Sequence, residues 1–103
     1  MRESVLEQVL GDSDETFFII GEKQCVTCSI VLAYLEEYKH PYILFELTDA
    51  NKPVVESFLK KHRKPNYKLP VVIHNGTILD GFESCHTIMD FLEEHYESGR
   101  STN

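Results

Sequence analysis

The sequence predicts a single α/β domain in which helices flank a small, four-stranded mixed β-sheet. With 103 residues, the chain is long enough for one domain with a modest core. Short apolar runs that are typical of strands alternate with longer segments of helical periodicity. An Asn-Gly pair, Asn75-Gly76, separates two of the short runs, as expected for a tight hairpin. The predicted order is β-α-β-α-β-β-α, after a short leading helix.

The first half of the chain predicts the leading helix and then a strand-helix-strand unit. Residues 4–10, SVLEQVL, are amphipathic, and the helix that they predict ends at Gly11. Residues 16–20, TFFII, form a continuous apolar run that suits a buried strand. The next helix should stop before Pro41. Its apolar positions recur at helical spacing, at Cys28, Val31, Leu32, Leu35 and Tyr38. Residues 42–47, YILFEL, predict a second strand, and the intervening helix favours a parallel pair.

The second half predicts another helix, a hairpin and a last helix. The segment TDANKP contains helix-start residues, with Asp49 or Asn51 as the cap and Pro53 in the first turn. The apolar face of this helix consists of Val54, Val55, Phe58, Leu59 and His62. A basic loop, RKPNYK, leads to strands at residues 69–74 and 77–80, and Gly81 breaks the second strand. The last helix is marked by Ile88, Phe91, Leu92 and Tyr96.

These elements divide the chain into three parts. Residues 1–15 are an N-terminal extension that we expect to be helical, residues 16–97 are the folded domain, and residues 98–103, SGRSTN, are a flexible tail.

The charge and composition of the chain argue against several classes of protein. A net charge of −7 disfavours binding to nucleic acid or to an anionic membrane, because both attract a surplus of Lys and Arg. No apolar run approaches the roughly 20 residues that cross a bilayer. The N-terminus lacks the basic start, apolar middle and cleavage site of a signal peptide. We therefore expect a cytoplasmic protein, in a bacterial cell or a virus-infected host, and nothing in the sequence requires more than a monomer.

Two of the three cysteines, Cys25 and Cys28, lie at the predicted junction of the first strand and its helix. In a reducing compartment, such a pair is more typical of catalysis or metal binding than of a structural disulfide. If the pair opens the helix, the first sulfur faces outward, where free N–H groups and the helix dipole favour a thiolate. We therefore predict Cys25 as a nucleophile and Cys28 as the resolving thiol. Lys23 could also favour the thiolate. Thr27 could donate a hydrogen bond to it, or could be a neutral helix-start residue.

Two other interpretations of the cysteine pair stay open. Zinc usually requires four nitrogen or sulfur ligands. The only other candidates close together are Cys85 and His86, and adjacent residues have poor geometry for chelation. The pair could instead be two inert, buried cysteines in a core.

Three motifs together resemble the glutaredoxin branch of the thioredoxin superfamily: CVTC, KLPVV and DGF. The resemblance extends from about Phe17 to Tyr96, and it implies a thioredoxin-like fold. It also implies a cis peptide bond at Pro70, with Leu69 pairing with the backbone of a substrate. A cis proline is a costly feature that suits such a role.

Within this branch, the chain is more similar to the NrdH-type redoxins than to classical glutaredoxins. NrdH-type redoxins commonly have Cys-Val-x-Cys, Leu-Pro-Val-Val and Ser-Gly-Phe. Classical glutaredoxins have a lysine three residues before the first cysteine, where this chain has Glu22, and a Gly-Gly where it has Asp80-Gly81. A carboxylate at Asp80 should disfavour glutathione. The resemblance implies electron transfer from thioredoxin reductase to a ribonucleotide reductase, with glutathione as the other possible donor. The chain departs from the NrdH pattern at Glu83 and Ser84 and in its N-terminal extension.

The sequence therefore predicts a small dithiol-disulfide oxidoreductase that reduces protein disulfides and holds no metal. Its redox-active disulfide joins Cys25 and Cys28, and no bound cofactor is expected. The predicted substrate-binding residues are Lys23, Val26, Thr27, Leu69, Pro70, Asp80, Gly81 and Phe82. The alternative is a binding module or subunit of the same fold whose cysteines stay idle.

Several smaller features have two interpretations each. Cys85 is either a small buried hydrophobe or a regulatory thiol at the start of the last helix. Phe82 belongs either to the core or to the wall of a substrate groove. The cluster KKHRK, residues 60–64, is either a solvated helix end or a docking patch for an acidic partner. His40 is expected to be a helix-end residue rather than a base.

Overall fold

The computed structural model describes residues 3–12 and 15–100, with side chains described for residues 5–12 and 15–96. This part of the chain contains four helices and one four-stranded mixed sheet, which confirms the predicted α/β class. In chain order the elements are α1 (Glu3–Gly11), β1 (Phe17–Gly21), α2 (Val26–Glu37), β2 (Tyr42–Glu46), α3 (Lys52–Lys61), β3 (Val71–His74), β4 (Thr77–Asp80) and α4 (Gly81–Arg100).

The sheet has the strand order β2-β1-β3-β4. β1 and β2 are parallel, as the intervening helix predicts, and β3 is antiparallel to both β1 and β4. The β3–β4 connection is the predicted tight turn. Asn75 has a φ of 50° and Gly76 a φ of 79°, and positive φ at both central residues matches the right-handed twist of a hairpin.

Helices cover both faces of the sheet, so the core has two halves. Alternate residues of a strand point to opposite faces. Phe18 and Ile20 therefore pack with α1 and α3, whereas Phe17 and Ile19 pack with α2 and α4. The first half also contains Leu6, Val55, Phe58, Leu59, Val71 and Ile73, and the second contains Val31, Leu35, Val72, Cys85, Ile88 and Leu92. The sheet is thus held as the middle layer, and the two cysteines lie at one end of it.

The N-terminal extension contributes to this core through α1. Leu6 is fully buried in the same cluster as β1 and α3. Beside it, the Glu7 carboxylate contacts Lys61 Nζ at 3.2 Å and His62 Nε2 at 2.9 Å, both at the end of α3. Glu7 thus binds two members of the basic cluster KKHRK, and a third member, Lys64, contacts Asp80 at 3.3 Å.

Acid is expected to loosen the contact between α1 and α3. The hydrogen bond with His62, aided by Lys61, holds the pKa of Glu7 below its usual range. A carboxyl whose pKa is lower in the folded state stabilises the fold above its unfolded-state pKa, and this contribution is lost as pH falls through the folded-state pKa. The protection factors of the α1 amides, which correct exchange rates for the intrinsic effect of pH, should therefore fall at acidic pH. Glu7→Gln should have lower protection factors already at neutral pH and should lose most of the acid dependence. Equal acid dependence in both proteins would contradict this expectation.

The largest differences from the predicted element boundaries lie at the two ends of α4. α4 begins at Gly81, well before its apolar periodicity at Ile88, because the Ser84 hydroxyl donates to the Gly81 carbonyl at 2.6 Å and supports the first turn. The backbone of residues 98–100, assigned to the flexible tail, continues α4, and residues 101–103 lie outside the described residues.

Asn51 stands at the cap position of α3 but does not cap it. The Asn51 side-chain oxygen instead accepts a hydrogen bond from the Thr48 N–H at 2.8 Å.

His40 is buried at the end of α2 rather than exposed as a base. Its ring nitrogens lie 2.8 Å from the Tyr96 hydroxyl and 2.6 Å from the Glu15 carbonyl. Both nitrogens are thus engaged within the fold, which agrees with the expected structural role.

Within residues 3–12 and 15–100, no helix is both long enough and apolar enough to cross a membrane.

Candidate active site

Four chain segments meet at one end of the sheet. β1, β2 and β4 end there, and β3 begins there, because β3 is antiparallel to its two neighbours. The segments carry Gly21 to Cys28, Leu47, Leu69-Pro70 and Gly81-Phe82. The topology therefore collects the three motifs, which are far apart in the sequence, into one region.

Cys25 and Cys28 open α2 and are joined by a disulfide, with Cα atoms 5.2 Å apart. Cys25 is the N-cap residue, with extended backbone angles, and its sulfur accepts the Cys28 N–H at 3.1 Å. Cys28 is only 2% exposed, whereas Cys25 is half-buried. The pair is thus asymmetric, since one sulfur is reachable from solvent and the other lies behind it.

This geometry favours a thiolate on Cys25 when the disulfide is reduced. An N-cap side chain faces the unpaired N–H groups of the first helical turn, and the helix dipole adds positive potential there. The donor that approaches the sulfur is the Cys28 N–H rather than the Thr27 hydroxyl. Lys23 is exposed.

Gly21, at the end of β1, packs directly against the buried sulfur. A Cβ atom on this residue would lie 2.9 Å from Cys28 Sγ and 3.3 Å from Cys28 Cβ. Real Cβ atoms essentially never approach another atom as closely as the first distance. The sequence predicts Gly21 only as the end of a strand. The close contact depends on how α2 folds back onto the sheet.

The Leu69–Pro70 peptide bond is cis, as the resemblance implies. Because Ile20 pairs with Val71, the next residues out are Gly21 and Pro70, which brings this peptide bond to the cysteine end of β1. The Pro70 carbonyl accepts hydrogen bonds from the Gly81 N–H at 3.0 Å and from the buried Ser84 hydroxyl at 3.2 Å. Sequence reasoning did not identify Ser84 as a residue that supports this segment.

The predicted site residues at the β4–α4 junction have different environments. Phe82 is 76% exposed, so it does not belong to the core, and Val26 beside Cys25 is 74% exposed. Gly81 has a φ of 58°, a conformation that favours glycine. Asp80 is half-buried, and its carboxylate accepts the Lys68 N–H at 2.8 Å and contacts Lys64 Nζ at 3.3 Å. These contacts tie Asp80 to the loop that precedes Pro70.

Removing the Asp80 carboxylate is expected to loosen this loop. Asp80→Ala removes the acceptor of the Lys68 N–H and the partner of Lys64. It should lower the free energy of unfolding by about 0.5–1.5 kcal/mol, the usual net contribution of a hydrogen bond. Asp80→Asn keeps an oxygen acceptor and should lose less. Denaturant titration of both variants measures the difference. Equal loss in the two variants would show that the charge contact with Lys64 matters more than the hydrogen bond.

A groove of about 200 Å³ opens between the start of α2 and the end of β2. Its lining residues are Gly21, Glu22, Lys23, Cys28, Ser29, Leu32, Leu44 and Glu46. The buried cysteine therefore borders a cleft with both apolar and charged walls.

The third cysteine, Cys85, is buried in the half of the core that contains Phe17 and Leu92. Burial raises the pKa of the Cys85 thiol above its usual value. This environment agrees with a small buried hydrophobe rather than a reactive thiol. Among the side chains that the structure describes, those of residues 5–12 and 15–96, no three His, Cys, Asp or Glu are grouped so that they could hold a metal ion.

Comparison of the chain with protein-family models, with curated proteins and with solved structures finds no match.

Proposed function

We propose that this protein is a dithiol-disulfide oxidoreductase that reduces disulfides in other proteins. The observation that carries the proposal is the asymmetric pair at the start of α2. Cys25 is accessible at a helix N-cap, and Cys28 is buried within bonding distance of it. Disulfide exchange requires one thiolate that can reach a target and a second thiol that can displace it.

The reaction proceeds in two exchange steps. In the reduced protein, the Cys25 thiolate attacks one sulfur of the target disulfide, and the other target sulfur leaves and takes up a proton. A mixed disulfide now joins Cys25 to the target. Cys28 then loses its proton and attacks Cys25 Sγ, and the second target sulfur leaves. The target gains two electrons and two protons, and the Cys25–Cys28 disulfide must be reduced again by an external donor.

The fold supports an assignment to the thioredoxin-like class. A parallel β1–β2 pair, an antiparallel hairpin and helices on both faces agree with the fold that the resemblance implies. The cis bond before Pro70 lies at the cysteine end of the sheet. Half-buried Leu69 and exposed Phe82 lie at the same end of the sheet as exposed Val26, and we propose that these three residues border the bound substrate.

Thioredoxin reductase is the proposed donor, and a ribonucleotide reductase is the proposed target. The motifs CVTC and LPVV and the Gly-Phe pair favour the NrdH type. Glutathione carries two carboxylates, and Glu22, Glu46 and Glu83 are exposed near the disulfide end of the sheet. These charges disfavour an anionic thiol compared with a protein partner.

NADPH consumption in two coupled assays tests the proposal. One assay contains the protein, a disulfide-bonded target protein and thioredoxin reductase, and the other replaces this reductase with glutathione and glutathione reductase, so that the target disulfide accepts the electrons in both. Turnover with thioredoxin reductase alone is expected. Turnover with glutathione alone would contradict the NrdH assignment but not the dithiol chemistry.

A redox titration separates this proposal from an idle cysteine pair. An exchange-active pair should give a reversible two-electron transition in the range of the cytosolic redoxins. No NADPH consumption in either coupled assay, together with no reversible redox transition, would favour a binding module instead.

A further inference from the structure

The outer edge of β2 is unpaired and unusually apolar. Within the described residues, β2 pairs only with β1, so one edge of the sheet ends at Tyr42–Glu46. Ile43 is 53% exposed and Leu44 is 48% exposed, and these neighbours point to opposite faces of the sheet. The apolar surface therefore lies on both sides of the same edge.

The hydrogen bonds of β2 to β1 show which of its backbone groups face outward. The Phe17 N–H donates to the Pro41 carbonyl, and the Leu47 N–H donates to the Gly21 carbonyl. In a strand, the N–H and C=O groups of one residue both point to the same neighbouring strand, and those of the next residue point to the opposite side. Residues 41, 43, 45 and 47 therefore face β1. The backbone groups of Tyr42, Leu44 and Glu46 face away from the sheet.

Residues 42–46 lack the features that prevent other edge strands from pairing with a second chain. Free edge strands commonly carry lysine, proline or a bulge, and each of these discourages pairing with another chain. Residues 42–46, YILFE, contain no lysine or proline. Their register with β1 is continuous from Phe17–Tyr42 to Gly21–Glu46. Only Glu46, at the end of the strand, carries a charge.

We propose that β2 pairs antiparallel with β2 of a second copy of this chain, about a twofold axis at Leu44. The three outward residues are centred on Leu44, so rotation about this residue brings each outward N–H opposite an outward carbonyl. Tyr42 then faces Glu46 of the second copy, and the two Leu44 residues face each other. Three donors from each chain make six hydrogen bonds, and the two sheets of four strands become one continuous sheet.

The side chains and charges around the axis are complementary. Ile43 lies opposite Phe45 of the second copy on one face, and the two Leu44 side chains meet on the other. Lys39 precedes β2 by three residues and Asp49 follows it by three, so the same rotation brings the end of β2 that carries the lysine to the end of the second β2 that carries the aspartate. Both are exposed. The Glu46 carbonyl accepts the Asn51 amide at 3.0 Å and keeps a second lone pair for the new strand.

Sedimentation velocity over a series of concentrations tests the association. The protein of residues 1–103 is expected to form dimers. Leu44→Lys places two like charges at the axis and should raise the dimer dissociation constant by about tenfold or more. Thr77→Lys introduces the same side chain at an exposed position of β4, the strand at the opposite edge of the sheet, and should leave the constant unchanged. A monomer at every concentration, or a dimer that Leu44→Lys does not weaken, would overturn the proposal.

Cysteine cross-linking tests the register. In a variant with serine at positions 25 and 28, Leu44→Cys places two thiols on a directly opposed pair. Their Cα atoms would lie about 5.5 Å apart, within the range for a disulfide. Ile43→Cys is the matched control, because position 43 of the second copy would lie diagonally across the strand pair, about 7–8 Å from position 43 of the first. Oxidation should give a cross-linked dimer at position 44 and little at position 43. Equal cross-linking at both positions would contradict the axis at Leu44. Both tests are independent of redox activity, so their outcome leaves the proposed function untouched.

Discussion

Replacing Cys25 with serine is expected to reduce disulfide-reductase turnover to the rate without the protein. Serine cannot form the nucleophilic anion at neutral pH, and Cys28 is too buried to attack a target in its place. The coupled NADPH assay measures this loss. Cys85→Ala is the matched control, because it removes a cysteine from the core rather than from the site. It should keep most of the activity. Full activity of Cys25→Ser would refute its role as the nucleophile.

Cys28→Ser should instead stop the reaction halfway. Cys25 still attacks the target disulfide, but no second thiol displaces it, so the mixed disulfide accumulates. Mass spectrometry under non-reducing conditions should detect a covalent adduct that an added thiol releases. Trapping by Cys25→Ser rather than by Cys28→Ser would reverse the two assigned roles.

Gly21→Ala is expected to give the largest loss of stability from a single added methyl group. The new Cβ would lie 2.9 Å from Cys28 Sγ, so α2 or β1 must shift. Overpacking of a well-packed site costs about 1–3 kcal/mol in the free energy of unfolding. Denaturant unfolding of the oxidised protein measures this cost.

Gly11→Ala is the control for Gly21→Ala, and it should have the opposite sign. Gly11 is the last residue of α1, and no atom lies within 4 Å of a Cβ added there. Alanine reduces the freedom of the unfolded chain, which stabilises the fold by about 0.4–1 kcal/mol. Equal effects at the two glycines would show that the contact with the Cys28 sulfur has no special cost.

The regular elements were largely predictable, because their signals are local. The Asn75-Gly76 turn, the apolar run before Gly21 and the helical spacing of Val31 and Leu35 each depend on residues close in sequence. The start of α4 was not predicted. Residues 81–84, GFES, show no apolar period, and their first turn depends on the bond between Ser84 and the Gly81 carbonyl.

Sequence motifs also predicted the cysteine pair and the candidate substrate residues. They did not predict how buried these residues are or which side chains they contact. The sequence left Phe82 between core and groove and offered Asp80 as a substrate contact. In the structure Phe82 is exposed, and Asp80 binds Lys64 and Lys68. Neither outcome could be predicted, because the exposure of Phe82 depends on how the start of α4 is placed on the sheet, and the contacts of Asp80 depend on a loop from another part of the chain.

The sequence by itself determined the class of fold, the order of its strands and helices, and the pair of sulfurs that makes exchange chemistry possible. These properties follow from backbone preference, apolar periodicity and short spacing. Only the tertiary structure decided that Gly21 packs against Cys28, that Ser84 supports Pro70 and that no other described strand pairs with the apolar outer edge of β2. Such contacts join residues that are distant along the chain, and they exist only once the sheet and its helices have packed.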